Sequence, residues 1–201
     1  LDGCPVVIGS PHRAQRLGIG MVHQHFKLAP SLRVLDNVAL SLQRGWGLVP
    51  RRKLRALLYE TAGRLGWTVD PARRVDTLSV GEQQRVEILK ALAAGGRVLI
   101  LDEPTAVLTP QEAHELLLAL RRLAEAGTAV VFITHKLAEV QAACDAVTIL
   151  RRGKVVHSGA AGELSSEQIA ELMVGQRIAL PHLHGAAKPA AEAGRAPVLE
   201  L

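Results

Sequence analysis

The run Arg97-Val98-Leu99-Ile100-Leu101-Asp102-Glu103-Pro104-Thr105 decides how the rest of the chain is read. Arg97 to Leu101 carries no polar alternation, the pattern of a strand covered on both faces. Two carboxylates follow at its C-terminal end, and Pro104 stops the ladder. Ending a buried apolar strand in adjacent acids costs desolvation free energy unless the acids meet a cation. One reading therefore places Asp102 and Glu103 beside a metal ion. The other is a core strand running into an acidic, solvated turn. The neighbouring segments separate the two.

On the N-terminal side, Leu78-Ser79-Val80-Gly81-Glu82-Gln83-Gln84-Arg85 opens a helix expected to run to about Ala94, closed by Gly95-Gly96. Ser79 with Glu82 three residues on is a capping box, which explains the pair as helix-start chemistry. The same helix end also offers free backbone N–H groups and a positive dipole, with Ser79 and Gly81 small enough to admit an anion. On the C-terminal side, Thr109-Pro110-Gln111-Glu112 is a second capping box with proline at the first helical position. Its helix turns Ala113, Leu116, Leu117, Leu120 and Leu123 inward and closes at Gly127. Ala129 to Ile133 is another uniformly apolar strand, ending at Thr134-His135. Two such strands joined by a helix form a βαβ unit with parallel strands and a right-handed crossover. Asp102, Glu103 and His135 then emerge on one edge of the sheet, where open α/β sheets bind ligands. A histidine after a strand is more often a satisfied core residue. Sharing an edge with two acids favours a functional one.

Further out, Val6-Val7-Ile8 reads as a short strand, Pro11 to Leu17 as a helical turn, and Gly20 to Gln24 as a strand with a polar tip at Gln24-His25-Phe26. His23 and His25 lack a third ligand nearby, so a metal pair there is disfavoured. From Pro30 to about Arg74 the pattern is helical. A first helix starts around Asn37, breakers stand at Gly45, Gly47 and Pro50, and a basic amphipathic helix runs from Arg51 to Gly63. A short helix over Lys136 to Ala143, a strand over Ala146 to Leu150, a hairpin turn at Arg152-Gly153-Lys154 and a helix over Ser166 to Val174 complete the ordered pattern. After Gly175 the composition shifts to Ala, Pro, His and Gly, as in a linker, before the strand-like Pro197 to Leu201.

Composition bounds the function classes. The chain has 201 residues, is 48% hydrophobic and carries a net charge of +5, enough for one core and a small appendage. Basic clusters at Arg51-Arg52-Lys53, Arg73-Arg74 and Arg151-Arg152 are compatible with nucleic acid or anionic lipid. Aromatics are only 2%, which removes the usual platform for stacking single strands, so no nucleic-acid partner is expected. Cys4 and Cys144 fit no metal spacing and suit a reducing compartment. No apolar run approaches the roughly 20 residues of a membrane helix, so service to a membrane implies separate spanning partners.

Four blocks now carry a family resemblance: Gly18 to Phe26, Leu78 to Leu92, Asp102 to Pro110, and Ile133-Thr134-His135. In this order and spacing they resemble the nucleotide-binding domain of ABC transporters, and most closely the tandem-domain ATPase subunits of nucleoside and simple-sugar importers. The resemblance covers residues 1 to about 177. It implies an α/β fold of the P-loop NTPase type, a parallel sheet core with a helical subdomain inserted at about 30–75, and ATP and Mg²⁺ as cofactors. It makes Gln24 the Q-loop glutamine, touching Mg²⁺ and the attacking water. It gives Asp102 the support of Mg²⁺, Glu103 the polarisation of water, and His135 the switch position near the γ-phosphate. Ser79, Gly81 and Glu82 fall in the signature motif, which contacts the γ-phosphate held by an opposite domain. Partners implied are membrane-spanning permease subunits, on which the helical insertion docks, a second nucleotide-binding domain and, indirectly, a substrate-binding protein. The expected location is peripheral, at the cytoplasmic face of the cell membrane.

Two departures refine the resemblance. Val80 and Glu82 stand where the general signature has Gly and Gln, and Thr109 stands where many relatives carry aspartate; both look like the nucleoside and sugar importers. A third concerns the P-loop, Gly-x-x-x-x-Gly-Lys followed by Ser or Thr. None of Lys27, Lys53, Lys90, Lys136, Lys154 or Lys188 precedes a Ser or Thr. The expectation is therefore a first domain cut short at its N-terminus, with 178–201 as linker and the start of a second domain, and little ATPase activity by itself. The alternatives are a non-catalytic interaction fragment and a soluble ABC-type ATPase.

Overall fold

The computed structural model describes residues 1, 3–42 and 50–175. The expectations for Gly45 and Gly47, for the linker after Gly175 and for a strand at Pro197 to Leu201 lie outside the described residues.

The elements follow in the order α1 (Pro11–Arg16), β1 (Ile19–Val22), α2 (Val34–Leu42), α3 (Arg51–Leu65), α4 (Val80–Ala93), β2 (Val98–Asp102), α5 (Pro110–Glu125), β3 (Ala129–Ile133), α6 (Leu137–Ala143), β4 (Ala146–Arg151), β5 (Lys154–Ala160) and α7 (Ser166–Val174). Among the described residues, β1, β2 and β3 form a parallel sheet with β2 in the middle. The register sets Val22 beside Leu101 and Leu101 beside Phe132, so the three strands end nearly level. The chain is thus α/β, with a parallel sheet and helices packed on it.

The uniformly apolar β2 is not covered on both faces. Its burial alternates, with Leu99 and Leu101 fully buried and Val98, Ile100 and Asp102 only partly so. Side chains of successive strand residues point to opposite faces, and α4 and α5 both pack on the Leu99–Leu101 side. There Val22, Ile88, Leu89, Leu116 and Leu120 join the main core. Gly20 lets α4 approach closely, since a Cβ at that position would sit 3.3 Å from the Ala91 carbonyl oxygen. On the other face Met21, Val131 and Ile133 are all more than 40% exposed. Uniform apolarity records what a strand tolerates on both sides, and cannot say which side the neighbouring helices take.

Residues 34–65 carry α2 and α3, whose Val34, Val38, Leu54, Leu58 and Leu65 point into the same core. The helix α3 runs to Leu65, two residues past the expected end, and Gly66 closes it in the left-handed conformation. The strand expected at Val6–Ile8 is absent: residues 5–9 have no regular structure, and Val7 is 84% exposed. Three apolar residues cannot hold a strand without a ladder partner, and no strand among the described residues pairs with them.

A smaller second core forms from Val140, Ile149, Ala161 and Ile169, under the antiparallel hairpin of β4 and β5. Arg152 and Gly153 both have positive φ, 49° and 74°, as a two-residue hairpin turn of the primed type requires. An open groove of about 630 Å³ runs between β3 and β4, lined by Val131, Ile133, Leu137, Val147 and Ile149 among others. No helix among the described residues is long and apolar enough to cross a membrane.

Candidate functional site

Three parallel strands that end level deliver their following residues to a common edge. Gln24 lies two residues past β1, Glu103 one past β2 and His135 two past β3. The Glu103 carboxylate sits between the other two. Its Oε2 accepts from Gln24 Nε2 at 3.2 Å, and its Oε1 lies 3.0 Å from His135 Nδ1. The Glu103 N–H donates to the Ile133 carbonyl at 2.9 Å, extending the β2–β3 ladder by one bond. The residue then turns sharply, with φ at +46°. A non-glycine residue in that region costs of order 1 kcal/mol and persists only where its surroundings impose it. Such residues concentrate at functional sites.

Asp102 completes the edge. It is half-buried at the last position of β2, and its carboxylate has no hydrogen-bond or ion-pair partner among the described residues. A half-buried acid without a partner is suited to a cation. Among the described residues no group of three or more His, Cys, Asp or Glu is placed to hold a metal by itself. Mg²⁺ is commonly held by one or two carboxylates, waters and substrate phosphates rather than by an all-protein cage. Asp102 and the Gln24 side-chain oxygen are the groups here that fit it.

The edge is exposed on one side and tied down on the other. His135 is 63% exposed and Glu103 29%, so the imidazole Nε2 faces outward while Nδ1 is engaged. Behind Gln24, the Lys27 N–H donates to the buried Glu87 carboxylate, and the Lys27 carbonyl accepts from Lys90 Nζ at 3.0 Å. Ala29 is gripped in turn by the buried Asn37, whose Oδ1 accepts the Ala29 N–H at 2.7 Å. The loop carrying Gln24 is thereby fixed to α4 and α2. Behind Glu103 and His135 stands a polar cluster of Thr105, Thr134, Lys136 and Glu139. Thr105 and Thr134 lie in stretches that the sequence singled out, whereas the buried Asn37, Glu87 and Glu139 did not stand out as anchors. Asn37, Glu87 and Glu139 are single polar residues inside helical patterns, and only their burial distinguishes them.

Ser79, Gly81 and Glu82 lie elsewhere, at the start of α4, and make no hydrogen bond to the Gln24–Glu103–His135 group. Ser79 caps the helix: its Oγ accepts the Glu82 N–H at 3.2 Å, and the Glu82 Oε2 accepts the Ser79 N–H at 2.8 Å. Glu82 Oε1 also pairs with Arg73 at 2.6 Å. These contacts, first the Ser79 N–H and then Arg73, hold the Glu82 carboxyl below the usual glutamate range. Gly81 is buried against Glu112, whose Oε1 would lie 2.3 Å from an added Cβ. Glu112 is itself fixed by the Thr109 N–H and hydroxyl in the capping box of α5. The reading of both sequence boxes as helix caps is thus realised in full.

A model of the ABC transporter family matches residues 2–106, just over half of the chain. The chain belongs to the ABC transporter family. Its similarity to curated members extends further than that match. It is 42% identical over 183 residues to the nucleoside import ATP-binding protein NupA of Lactococcus lactis subsp. cremoris, covering 90% of this chain. It is 39% identical over 180 residues to the ribose import ATP-binding protein RbsA of Hahella chejuensis, covering 89% of this chain. The chain spans 36% of the length of each of these relatives. Among solved structures, it is similar to the ATP-binding cassette MJ0796 in a dimeric, post-hydrolysis state bound to ADP and Pi. The TM-score there is 0.64 and the identity 26%, over 77% of this chain and 68% of that one.

Proposed function

We propose that this chain is part of the ATP-hydrolysing, energy-coupling component of an importer for nucleosides or simple sugars. The observation that carries the proposal is the Glu103 carboxylate held between Gln24 and His135 at the ends of three parallel strands. A carboxylate so placed can orient and polarise a water, the exposed imidazole can contact a γ-phosphate, and Asp102 can support Mg²⁺ through its unpaired carboxylate. Mg²⁺ would supply neutralisation of charge on the phosphates; Gln24 and Asp102 would hold it. Ser79 and Gly81 at the start of α4 would meet nucleotide bound by an opposing cassette, as the dimeric arrangement of MJ0796 invites. The partners in this reading are permease subunits at the cytoplasmic face of the membrane, with α2 and α3 as the docking region, a second nucleotide-binding domain and, through the permease, a substrate-binding protein. The names of the relatives, nucleoside and ribose import proteins, support the cargo class.

A polyphosphate also needs a lysine and a loop of backbone donors, and no lysine of these 201 residues precedes a Ser or Thr. We therefore propose that these residues by themselves bind MgATP weakly. Isothermal titration should give a Kd above about 1 mM, whose standard free energy is only about −4 kcal/mol. Micromolar affinity contradicts this part of the proposal. The functional test is to join a P-loop segment ahead of residue 1 and measure ATP hydrolysis. Recovered hydrolysis supports the ATPase reading, whereas a folded protein that binds a partner without turning over ATP supports a non-catalytic interaction module. Co-purification with a polytopic membrane protein, as against DNA or ribosomes, separates the importer from a soluble ATPase of the same family.

A further inference from the structure

Glu103 and His135 stand on two different loops, and their 3.0 Å contact is between exposed or half-exposed groups. By itself such a contact holds little, since solvent competes for exposed polar groups and screens any charge on them. Something beneath must set the spacing. One buried carboxylate touches both loops. Glu139, in the first turn of α6 and 7% exposed, accepts from the Thr105 hydroxyl through Oε1 at 2.7 Å and from the Thr134 hydroxyl through Oε2 at 2.9 Å. Thr105 is two residues past Glu103 and only 1% exposed; Thr134 is the residue before His135.

Lys136 closes the ring. Its Nζ donates to the Thr105 carbonyl at 2.9 Å and lies 3.5 Å from Glu139 Oε1, while its N–H donates to the Thr134 hydroxyl at 3.0 Å. Each carboxylate oxygen of Glu139 thus has a hydroxyl donor from a different loop. A buried carboxylate with this many donors is satisfied, and moving either loop leaves it short of a partner, which a buried charge tolerates poorly. The same cluster bears on the strained backbone at Glu103, because Thr105 fixes the chain two residues after the positive φ and the ladder bond to Ile133 fixes it at the residue itself.

We infer that Glu139 is a positioning residue: through Thr105 and Thr134 it clasps the loops after β2 and β3 and so sets the distance between the Glu103 carboxylate and the His135 imidazole. It touches neither substrate nor the reacting atoms, and its importance to catalysis rests on the ATPase reading above.

The test reads the geometry without needing turnover. The ring ¹⁵N resonances of His135, assigned by a His135→Asn variant, are recorded on this chain at fixed pH, with Glu103→Gln marking the resonance of an imidazole that has lost its carboxylate. Glu139→Ala and Thr105→Val should both move the Nδ1 resonance toward the Glu103→Gln position, while Thr105→Ser, which keeps the hydroxyl, should leave it near the parent value. If Glu139→Ala fails to fold, Thr105→Val carries the test, since it removes one hydroxyl at nearly constant volume. A folded Glu139→Ala, or failing that a folded Thr105→Val, with the parent Nδ1 resonance overturns the proposal. In the chain joined to a P-loop segment as above, Glu139→Ala should lower kcat by about tenfold or more while KM for MgATP stays within about twofold, the split expected when the aligned geometry rather than nucleotide affinity is lost. A parent without ATPase activity would refute the functional reading and leave the resonance test standing.

Discussion

Glu103 and Glu82 are both glutamates inside blocks that carry the family resemblance, and the fold uses them in opposite ways. Glu82 is fully engaged by near neighbours: the Ser79 N–H and Arg73 take up its carboxylate, while its own N–H donates to the Ser79 hydroxyl. Every one of those contacts is made within ten residues of chain, and the backbone around it is relaxed. Glu103 instead sits in a left-handed conformation, and its two side-chain partners come 79 residues before it and 32 after. Local partners mark a residue that stabilises the element it belongs to. Distant partners gathered at a sheet edge, on a strained backbone, mark one that the fold has been arranged to present.

That contrast predicts opposite outcomes for paired substitutions. The largest effect should come from Glu103→Gln. If the proposed ATPase reading holds, hydrolysis by the chain joined to a P-loop segment should fall by about 10²-fold or more, the usual scale for loss of a positioned base, while the melting temperature changes little. A glutamine keeps the size and can still accept from Gln24, so an equal loss of stability and activity would show Glu103 to be structural after all. The next largest effect is at Gly81. Gly81→Ala displaces the Glu112 carboxylate and with it the capping box of α5, worth about 1 kcal/mol. In a Glu112→Ala background that penalty is already taken, so Gly81→Ala should become neutral or stabilising. A thermal-denaturation cycle giving purely additive effects would mean that the two helix starts do not touch in solution.

The fold was legible wherever a pattern spanned many residues. The apolar runs at 98–101 and 129–133, the boxes Ser79–Glu82 and Thr109–Glu112, and Gly127 placed β2, β3, α4 and α5 to within a residue or two. From the parallel βαβ geometry alone, Asp102, Glu103 and His135 were expected at one edge, and Gln24 joins them there through a third parallel strand. The misses share a cause. Val6–Ile8 has the composition of a strand, but a strand exists only with a partner, and pairing is not a local property. The half-open face of β2 is likewise decided by which side α4 and α5 take. The anchors behind the site, Asn37, Glu87 and Glu139, were invisible because a lone polar residue in a helix reads as solvent-facing until the fold buries it. Burial of a polar group signals function or fixation only once its partners are known.

The smallest effect expected is one of pH, and it isolates the stabilising half of the comparison. The ordinary glutamate value of 4.5 is lowered in the folded chain for Glu82, first by the Ser79 N–H and then by Arg73, and for Glu112, by the Thr109 N–H and hydroxyl. A carboxyl whose value is lower when folded than unfolded binds its proton more readily in the unfolded state. The stability it contributes is therefore complete above the unfolded value, near 4.5, and drains away as the pH falls through the lowered folded one. Melting temperatures should be flat with respect to these two groups from neutral pH to about 5 and drop below that. Glu82→Gln, which cannot ionise, should start lower at pH 7 and show a shallower fall in acid. Because Glu82 is about 40% exposed beside Arg73, salt should shrink the Arg73 share of the effect and spare the share that comes from the Ser79 N–H. If the acid slope survives Glu82→Gln and Glu112→Gln together, the cap carboxylates are not its source, and the helix starts stabilise through their hydroxyl and backbone bonds alone.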